Sequence, residues 1–259
     1  MKFSNRLMER LIEARRIVAL TGAGVSAESG VPTFRGNDGI WSRFKPEELA
    51  TVDAFMKNPQ LVWEWYAHRK KIIASIQPNA GHVALARMEE MFEQFVLVTQ
   101  NIDNLHRRAG SKTVLELHGN IERNYCMKCG SIFANDEVTI QAGAPRCEKK
   151  YEGLSCDGLV RPDVAWFGEL IPEDQWKQSA RAAESADVFL SIGTSGVVYP
   201  AASLPLIAKR SGAYLVEVNT ERTALSDLAD EFLEGASGVV LPALCDRLKG
   251  TIRSPGTIV

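Results

Sequence analysis

Short runs of Val, Ile, Leu and their apolar neighbours punctuate the chain: RIVALTG near 16–22, FVLVTQN near 95–101, DVFLSIGTS near 187–195, AYLVEVN near 213–219 and GVVLP near 238–242. They are continuously apolar rather than alternating, as strands covered on both faces are. The spacing therefore predicts the strands of a buried parallel sheet. PEDQWKQSARAAESA and PAASLPLIAKRSG lie between the later runs and suit crossover helices. The N-terminal MKFSNRLMERLIEARR places Leu7, Leu11 and Ala14 along one face of a further helix. Strand alternating with helix predicts an α/β layered domain. Ligands of such sheets bind beyond the carboxyl ends of the strands, so the residues just after each run are the candidates for chemistry. Two stretches break the rhythm: 35–80 is helical in pattern without a convincing strand, and 120–160 is poor in apolar periodicity. Both read as insertions into the layered domain.

With 259 residues, 45% of them hydrophobic, the chain can form one large core and a smaller satellite. Lys+Arg 30 against Asp+Glu 32 leaves a net charge of -2, which provides no overall basic field for nucleic acid or an anionic membrane. No apolar run reaches the ~20 residues needed to cross a bilayer. The N-terminal helix carries Glu9 and Glu13 and lacks a secretory apolar core. The expected compartment is the cytoplasm.

After the first run comes TGAGVSAESGVPTFRG, in which Gly22, Gly24 and Ala27 fit G-x-G-x-x-A directly behind a strand. Such a turn lets backbone N–H groups approach a pyrophosphate. A hydride-transferring enzyme would follow it with a second strand ending in Asp or Glu, and PTFRGNDGIWSRF is no such strand. A dinucleotide used for other chemistry is the expectation. Gln100, Asn101 and Asp103 follow the second run, Gly193, Thr194 and Ser195 the third, and Asn219 and Glu221 the fourth. Singly these are ordinary turn residues; together they place polar groups at three strand ends of one sheet. Among the histidines, His118 in LELHGNI sits at a predicted strand end, and imidazole titrates near neutrality, which suits a general base. His82 and His106 read as capping or packing groups.

Cys126 and Cys129 form a C-x-x-C, with Cys147 and Cys156 following inside the same insertion. Zn²⁺ favours four thiolates in a tetrahedron, and a closed set of four leaves no position for substrate, so the expected metal is structural. The sequence NYCMKCGSIF is unlike the helix start of a redox C-x-x-C. Cys245, alone in LPALCDRL, is expected as a buried free thiol. In WEWYAHRKK, helical spacing puts Tyr66 and Arg69 on one face, one turn apart. From these residues alone, Trp63 and Tyr66 as core anchors above a solvated Arg69–Lys70–Lys71 face is the ordinary reading.

Taken together, GAGVSAESGVPTFRG, TQNIDNLHRRAG, LELHGN, CMKC with Cys147 and Cys156, RPDVAWFGE, GTSGVVYPAA and VNTE resemble the sirtuins, NAD-dependent protein lysine deacylases. The order is the family's, and the matches span roughly residues 20–240. The chain looks like a prokaryotic member. The resemblance implies a Rossmann-like parallel sheet with helices on both faces (1–34, 81–119 and 160–259), a helical insertion (35–80) and a zinc-binding module (120–159) completing a small domain. It implies that Gly22, Ala23, Gly24, Phe34 and Arg35 line the cofactor loop, and that Gln100, Asn101, Ile102 and Asp103 surround the nicotinamide and its ribose. Gly193, Thr194, Ser195, Asn219, Thr220, Glu221 and Ala236 would hold the adenosine half, with His118 as the base.

The stretch Val164, Ala165, Trp166, Phe167 and Gly168 would pair with an acyl-lysine peptide as an added strand. The implied products are nicotinamide, free lysine and O-acyl-ADP-ribose. YAHR and NDGIWSRF are similar to the desuccinylase class, in which Tyr66 and Arg69 would grip an acyl carboxylate, so removal of succinyl or malonyl as well as acetyl is expected. The chain departs from the family's usual pattern in the wide Cys147–Cys156 spacing and in the small Ala165. Mono-ADP-ribosyl transfer, a plain deacetylase and a zinc-finger binding module are the alternatives. Charge disfavours the last, because Arg123, Lys128, Arg146, Lys149 and Lys150 are offset by Glu122, Glu148 and Glu152.

Overall fold

The computed structural model describes residues 1–32, 46–138, 144–151 and 153–250. Helix α1 (Asn5–Glu13) is capped by Ser4, whose hydroxyl accepts from the Leu7 amide; it buries Leu7 and Leu11 as the spacing predicts, together with Met8, while Ala14 lies just past its end as the C-cap. It leads into β1 (Arg16–Thr21) and the short α2 (Ala23–Ala27). Helices α3 (Pro46–Leu49), α4 (Val52–Lys57) and α5 (Pro59–Ser75) make up the described part of the first insertion. In α5, Asn58 caps the start and Pro59 occupies the first turn, where its missing N–H costs nothing. Next come α6 (Ala80–Glu89), β2 (Gln94–Thr99), α7 (Leu105–Arg108) and β3 (Val114–Glu116).

The second insertion holds β4 (Gly119–Cys126), β5 (Ile132–Ala134), β6 (Lys150–Tyr151) and β7 (Leu154–Ser155), and β8 (Val160–Val164) leads out of it. The chain closes with α8 (Glu173–Ser185), β9 (Val188–Ile192), α9 (Leu204–Arg210), β10 (Tyr214–Asn219), β11 (Glu231–Glu234) and α10 (Ser237–Lys249).

The large sheet runs β11-β10-β9-β1-β2-β3 and is parallel throughout. Consecutive residues of β1 feed opposite faces: Ile17 and Ala19 join the core under α1, α6 and α10, while Val18 and Leu20 join the core under α8 and α9. Burial on both faces is why the strands read as unbroken apolar runs. From β1 the chain builds outward to β2 and β3, then returns to β9 on the other side. The order therefore reverses between β1 and β9, and such switch points open a crevice at the carboxyl ends. A third core joins α4 and α5 to a small sheet of order β5-β4-β8, through Phe55, Trp63, Tyr66, Ile121, Phe133 and Trp166.

One predicted strand is not a strand. GVVLP belongs to α10, whose buried Val240, Leu241, Leu244, Cys245 and Leu248 recur at helical spacing. Pro242 inside the helix disguised that period. The sixth strand is instead β11, EFLE, a four-residue edge strand in which only Leu233 is buried and whose two apolar residues are flanked by glutamates, too short a run to read as a covered strand. Cys245 is buried as expected, its thiol 3.3 Å from the Ala84 carbonyl.

Candidate active site

The crevice at the switch point begins with close backbone packing. Gly24 N donates to Gly193 O at 2.9 Å, and a Cβ on Gly24 would stand 2.8 Å from Gly193 Cα. Gly193 itself has φ +58°, where side chains are disfavoured. The glycines of the β1 and β9 loops are thus required by each other's backbone, which leaves the loop edges open to solvent. Polar side chains then tie the strand ends together: Gln100 Nε2 donates to Thr194 Oγ1 at 3.0 Å, and Asn219 Nδ2 donates to Thr194 O at 3.1 Å.

A cleft of about 500 Å³ opens here. Its wall contains Gly22, Ala23, Gly24, Gln100, Asn101, Ile102 and His118, then Gly193, Thr194, Ser195, Asn219, Thr220 and Glu221. The opposite wall is formed by Tyr66, Arg69 and the stretch Val164, Ala165, Trp166, Phe167 and Gly168. Ala50, Trp65, Glu169, Ile171, Val198, Tyr199, Pro200 and Thr223 also line it without having been singled out in the sequence. Trp65, Glu169, Val198, Tyr199 and Pro200 lie inside motifs quoted above, and nothing in the spacing of these eight residues sets them apart. Phe34 and Arg35 fall outside the described residues. Asp103 and Ala236 are not in the wall: Ala236 caps α10, and Asp103 lies just behind the surface.

Behind that surface lies a buried polar layer. Ser26 Oγ donates to Asp103 Oδ2 at 2.7 Å, Leu105 N donates to Asp103 Oδ1 at 3.0 Å, and Asn101 Nδ2 donates to Gly22 O at 2.9 Å. Burial raises the pKa of the Asp103 carboxyl, opposed by the Ser26 and Leu105 hydrogen bonds and by the Arg69 and Arg108 charges. His82 caps α6, its Nδ1 accepting from Asn79 N, so the neutral ring presents its Nε2–H to Ser26 Oγ at 3.4 Å. Burial lowers His82 to about 4, which keeps it neutral. Asp103 was expected to face a ligand directly; here its carboxylate orients Ser26 and the start of α7.

His118 sits in the turn between β3 and β4. Its Nδ1 lies 3.0 Å from the Gln100 carbonyl, which only accepts, so Nδ1 carries the proton and Nε2 keeps its lone pair. Burial lowers its pKa, with the Gln100 hydrogen bond opposing, so the ring is neutral at pH 7 and able to take a proton. Glu116, between Arg107 and Arg123 at 3.0 and 2.8 Å, fixes the base of the same turn.

In α5 the buried face carries Val62, Trp63, Tyr66, Arg69 and Ile73, while His68 and Lys71 are exposed. Arg69 therefore does not belong to a solvated face; it is 7% exposed. Its guanidinium carbon stands 4.8 Å from the centre of the Trp65 ring. Burial lowers its pKa, and the Tyr66 and Asp103 groups act in the opposite direction. Tyr66 Oη receives the Trp166 indole N–H at 2.8 Å. The Val164–Gly168 stretch continues β8, an edge strand. Three of its amides are engaged inward: Ala165 N to His118 O, Trp166 N to Glu169 Oε2 and Phe167 N to Ala50 O. The Ala165 carbonyl and the Gly168 backbone have no partner among the described residues.

The four cysteines meet at the far end of the same small sheet, all Sγ atoms within 4.8 Å of one another. Cys126–Cys156 and Cys129–Cys147 are 3.6 and 3.7 Å apart. A disulfide needs about 2.05 Å, whereas a tetrahedron with Zn–S bonds of about 2.3 Å has edges of roughly 3.8 Å. The donor set and spacing fit zinc, and the Lys128 and Cys129 amides point at Cys126 Sγ from 3.3 and 3.5 Å. The wide Cys147–Cys156 gap is spanned by the β6–β7 hairpin, with Lys150 opposite Ser155 and Tyr151 opposite Leu154.

The Sir2 family profile matches residues 22–200, more than half of the chain. The chain belongs to the Sir2 family. It is 49% identical to the NAD-dependent protein deacylase 2 of Pyrobaculum aerophilum, over 94% of this chain and 95% of that protein. It is likewise 49% identical to the NAD-dependent protein deacylase of Aquifex aeolicus, over 95% and 100%. Among solved structures, a Sir2 homologue in complex with NAD superposes with TM-score 0.89 at 43% identity, covering 97% of this chain and 96% of that one. A Sir2 variant with deacetylated p53 peptide and 3′-O-acetyl ADP-ribose gives 0.81 at 36%, covering 96% and 98%. In this sirtuin, as in the sequence reading, a parallel Rossmann-like sheet is joined to a small sheet with a four-cysteine cluster. No helix among the described residues is long and apolar enough to cross a membrane.

Proposed function

We propose that the protein is an NAD-dependent protein-lysine deacylase that removes succinyl or malonyl groups as well as acetyl groups. The carrying observation is one cleft in which the glycine loops of β1 and β9, a neutral histidine and the buried Tyr66–Arg69 pair face a common space. NAD, as co-substrate, would supply the ribose carbon C1′, whose bond to nicotinamide breaks as the carbonyl oxygen of the acyl-lysine bonds to it. The β1 and β9 loops hold its phosphates, Phe34 and Arg35 are assigned to the same cofactor, and Asn219, Thr220 and Glu221 with Ala236 serve the adenosine half. Gln100, Asn101 and Ile102 hold the nicotinamide ribose, backed by Asp103. His118 Nε2 draws a proton from a ribose hydroxyl, so that its oxygen becomes the acceptor of the acyl group. Water then releases O-acyl-ADP-ribose and lysine.

A domain division at 34/35, 80/81, 119/120 and 159/160 would put this chemistry between the large sheet and the small domain, although β8, which that division gives to the large domain, pairs with β4 in the small sheet. Peptide backbone pairs along Val164–Gly168, chiefly through the Ala165 carbonyl and Gly168, because the intervening amides already have partners. Tyr66 and Arg69 supply the acyl specificity: a guanidinium and a phenol in a buried wall offer three directed donors to a terminal carboxylate. With an acetyl group, the Asp103 charge and the Trp65 face remain to balance Arg69, which supports activity on both. A closed Cys126–Cys129–Cys147–Cys156 zinc site keeps the small sheet together. The cytoplasm fits this substrate class.

The test is product analysis by mass spectrometry with NAD and one lysine peptide carrying acetyl or succinyl. Equal amounts of nicotinamide, free-lysine peptide and O-acyl-ADP-ribose are expected. ADP-ribosylated protein in place of O-acyl-ADP-ribose would establish ADP-ribosyl transfer instead.

A further inference from the structure

Tyr66 and Arg69 stand on α5, yet the atom that touches the phenol oxygen comes from another element. Trp166, 3% exposed, reaches across from the stretch that follows β8 and places its indole Nε1 2.8 Å from Tyr66 Oη. An indole nitrogen only donates. The phenol must therefore accept in this bond, and its single proton is left for a different acceptor.

We infer that Trp166 is a specificity-determining positioning residue: by donating to Tyr66 Oη, it reserves the phenol proton for the carboxylate of a dicarboxylic acyl group. This rests on the proposed carboxylate clamp and extends it to a residue outside α5. The geometry is over-determined around the indole. Arg161 is stacked with its guanidinium carbon 3.2 Å from the ring centre, and Phe55 packs with ring centres 5.3 Å apart. The Trp166 amide is held by Glu169, which Arg161 grips with two bonds of 2.6 and 2.9 Å. The ring cannot easily turn, so the direction of its N–H is fixed. A phenol that accepts one hydrogen bond also donates a stronger one, since bonds in a chain polarise each other. A neutral acetyl methyl makes no use of that donor.

Trp166 also belongs to the segment proposed to pair with peptide. Acyl selection and peptide grip then share one side chain, so a disturbed peptide loop should be felt in acyl preference.

The experiment compares kcat/KM for succinyl- and acetyl-lysine versions of one peptide in the parent, Trp166→Phe, Tyr66→Phe and the double variant. Benzothienylalanine at position 166, which keeps the bicyclic shape and removes only the N–H, covers the case in which Trp166→Phe fails to fold. The readout is the succinyl-to-acetyl ratio, which a smaller fraction of folded enzyme does not move. Removal of one neutral hydrogen bond from the chain should lower the ratio roughly five- to tenfold. In the Tyr66→Phe background the same change should leave the ratio where Tyr66→Phe alone puts it. Equal losses on both acyl groups, or effects that multiply in the double variant, would overturn the inference while leaving the clamp standing. A parent without succinyl or malonyl turnover would remove the clamp itself, and the inference with it.

Discussion

Replacing Arg161 by methionine removes a charge from the least accessible position any arginine occupies among the described residues. The side chain is 1% exposed. It makes two bonds to the Glu169 carboxylate and a third, of 2.7 Å, to the Val164 carbonyl. Breaking one side of a buried ion pair costs about 3–5 kcal/mol because the other charge is stranded. Glu169 is 24% exposed and keeps the Trp166 amide, so it is only partly stranded and the lower end, about 3 kcal/mol, applies. For a chain of this size, each kcal/mol moves Tm by roughly 2–4 °C, so a fall of about 6–12 °C is expected by calorimetry. The same bonds set the turn at Val164–Glu169, so KM for the peptide should rise more than KM for NAD. Methionine at 161 with glutamine at 169 removes both charges and should recover part of the lost stability. A single variant within about 2 °C of the parent, with unchanged peptide KM, would refute this account of how the loop is held.

Two further outcomes follow from the same geometry. Cys156→Ala should reduce bound zinc from one ion per chain, measured by elemental analysis, and lower activity as well. Cys126 ends β4 and Val160 starts β8 at the metal end, while His118 and Val164 sit at the other end of the same strand pair; full occupancy or unchanged turnover would contradict the four-thiolate assignment. For His118, the neutral ring is the active base, so activity should be lost as pH falls through its folded pKa. Since burial lowers that value, the acid limb of kcat/KM should lie below the ordinary imidazole value of about 6.5; a limb at or above it would contradict His118 as the group that titrates.

The sequence exposed features whose physical cause is local. Four of the five apolar runs are strands because both faces of each are covered, and burial on both sides leaves an unbroken apolar string. The β1 glycine loop was legible because its glycines answer a steric demand, although the partner in that demand, Gly193, is far along the chain. The C-x-x-C knuckle announced the metal site. Features made by long-range pairing were hidden. The β11 strand is only four residues long with glutamate at each end, and α10 carries a proline, so hydrophobic pattern misassigned the last element. Arg69 reads as surface until α5 is seen to bury that face against Trp166 and Asp103. The Ser26–Asp103 bond joins residues 77 positions apart, so no spacing rule could show that the carboxylate braces the wall instead of facing the cleft. Nothing in the spacing around Arg161 marks it out, and only the folded loop shows Glu169 and Trp166 closing around it.

Acyl preference bears most directly on the central claim, that a buried Tyr66–Arg69 pair makes this sirtuin a dual deacylase. The measurement is kcat/KM with NAD for one lysine peptide carrying succinyl or acetyl, on the parent and on Arg69→Met. A forked, charge-assisted pair of hydrogen bonds lost from a buried site is worth about 2–4 kcal/mol, a factor of roughly 30 to 1,000. Strong succinyl removal by the parent is expected, with the substitution cutting the succinyl-to-acetyl ratio by that factor. Absent succinyl activity, or a ratio unmoved by Arg69→Met, would contradict the clamp and leave a plain deacetylase.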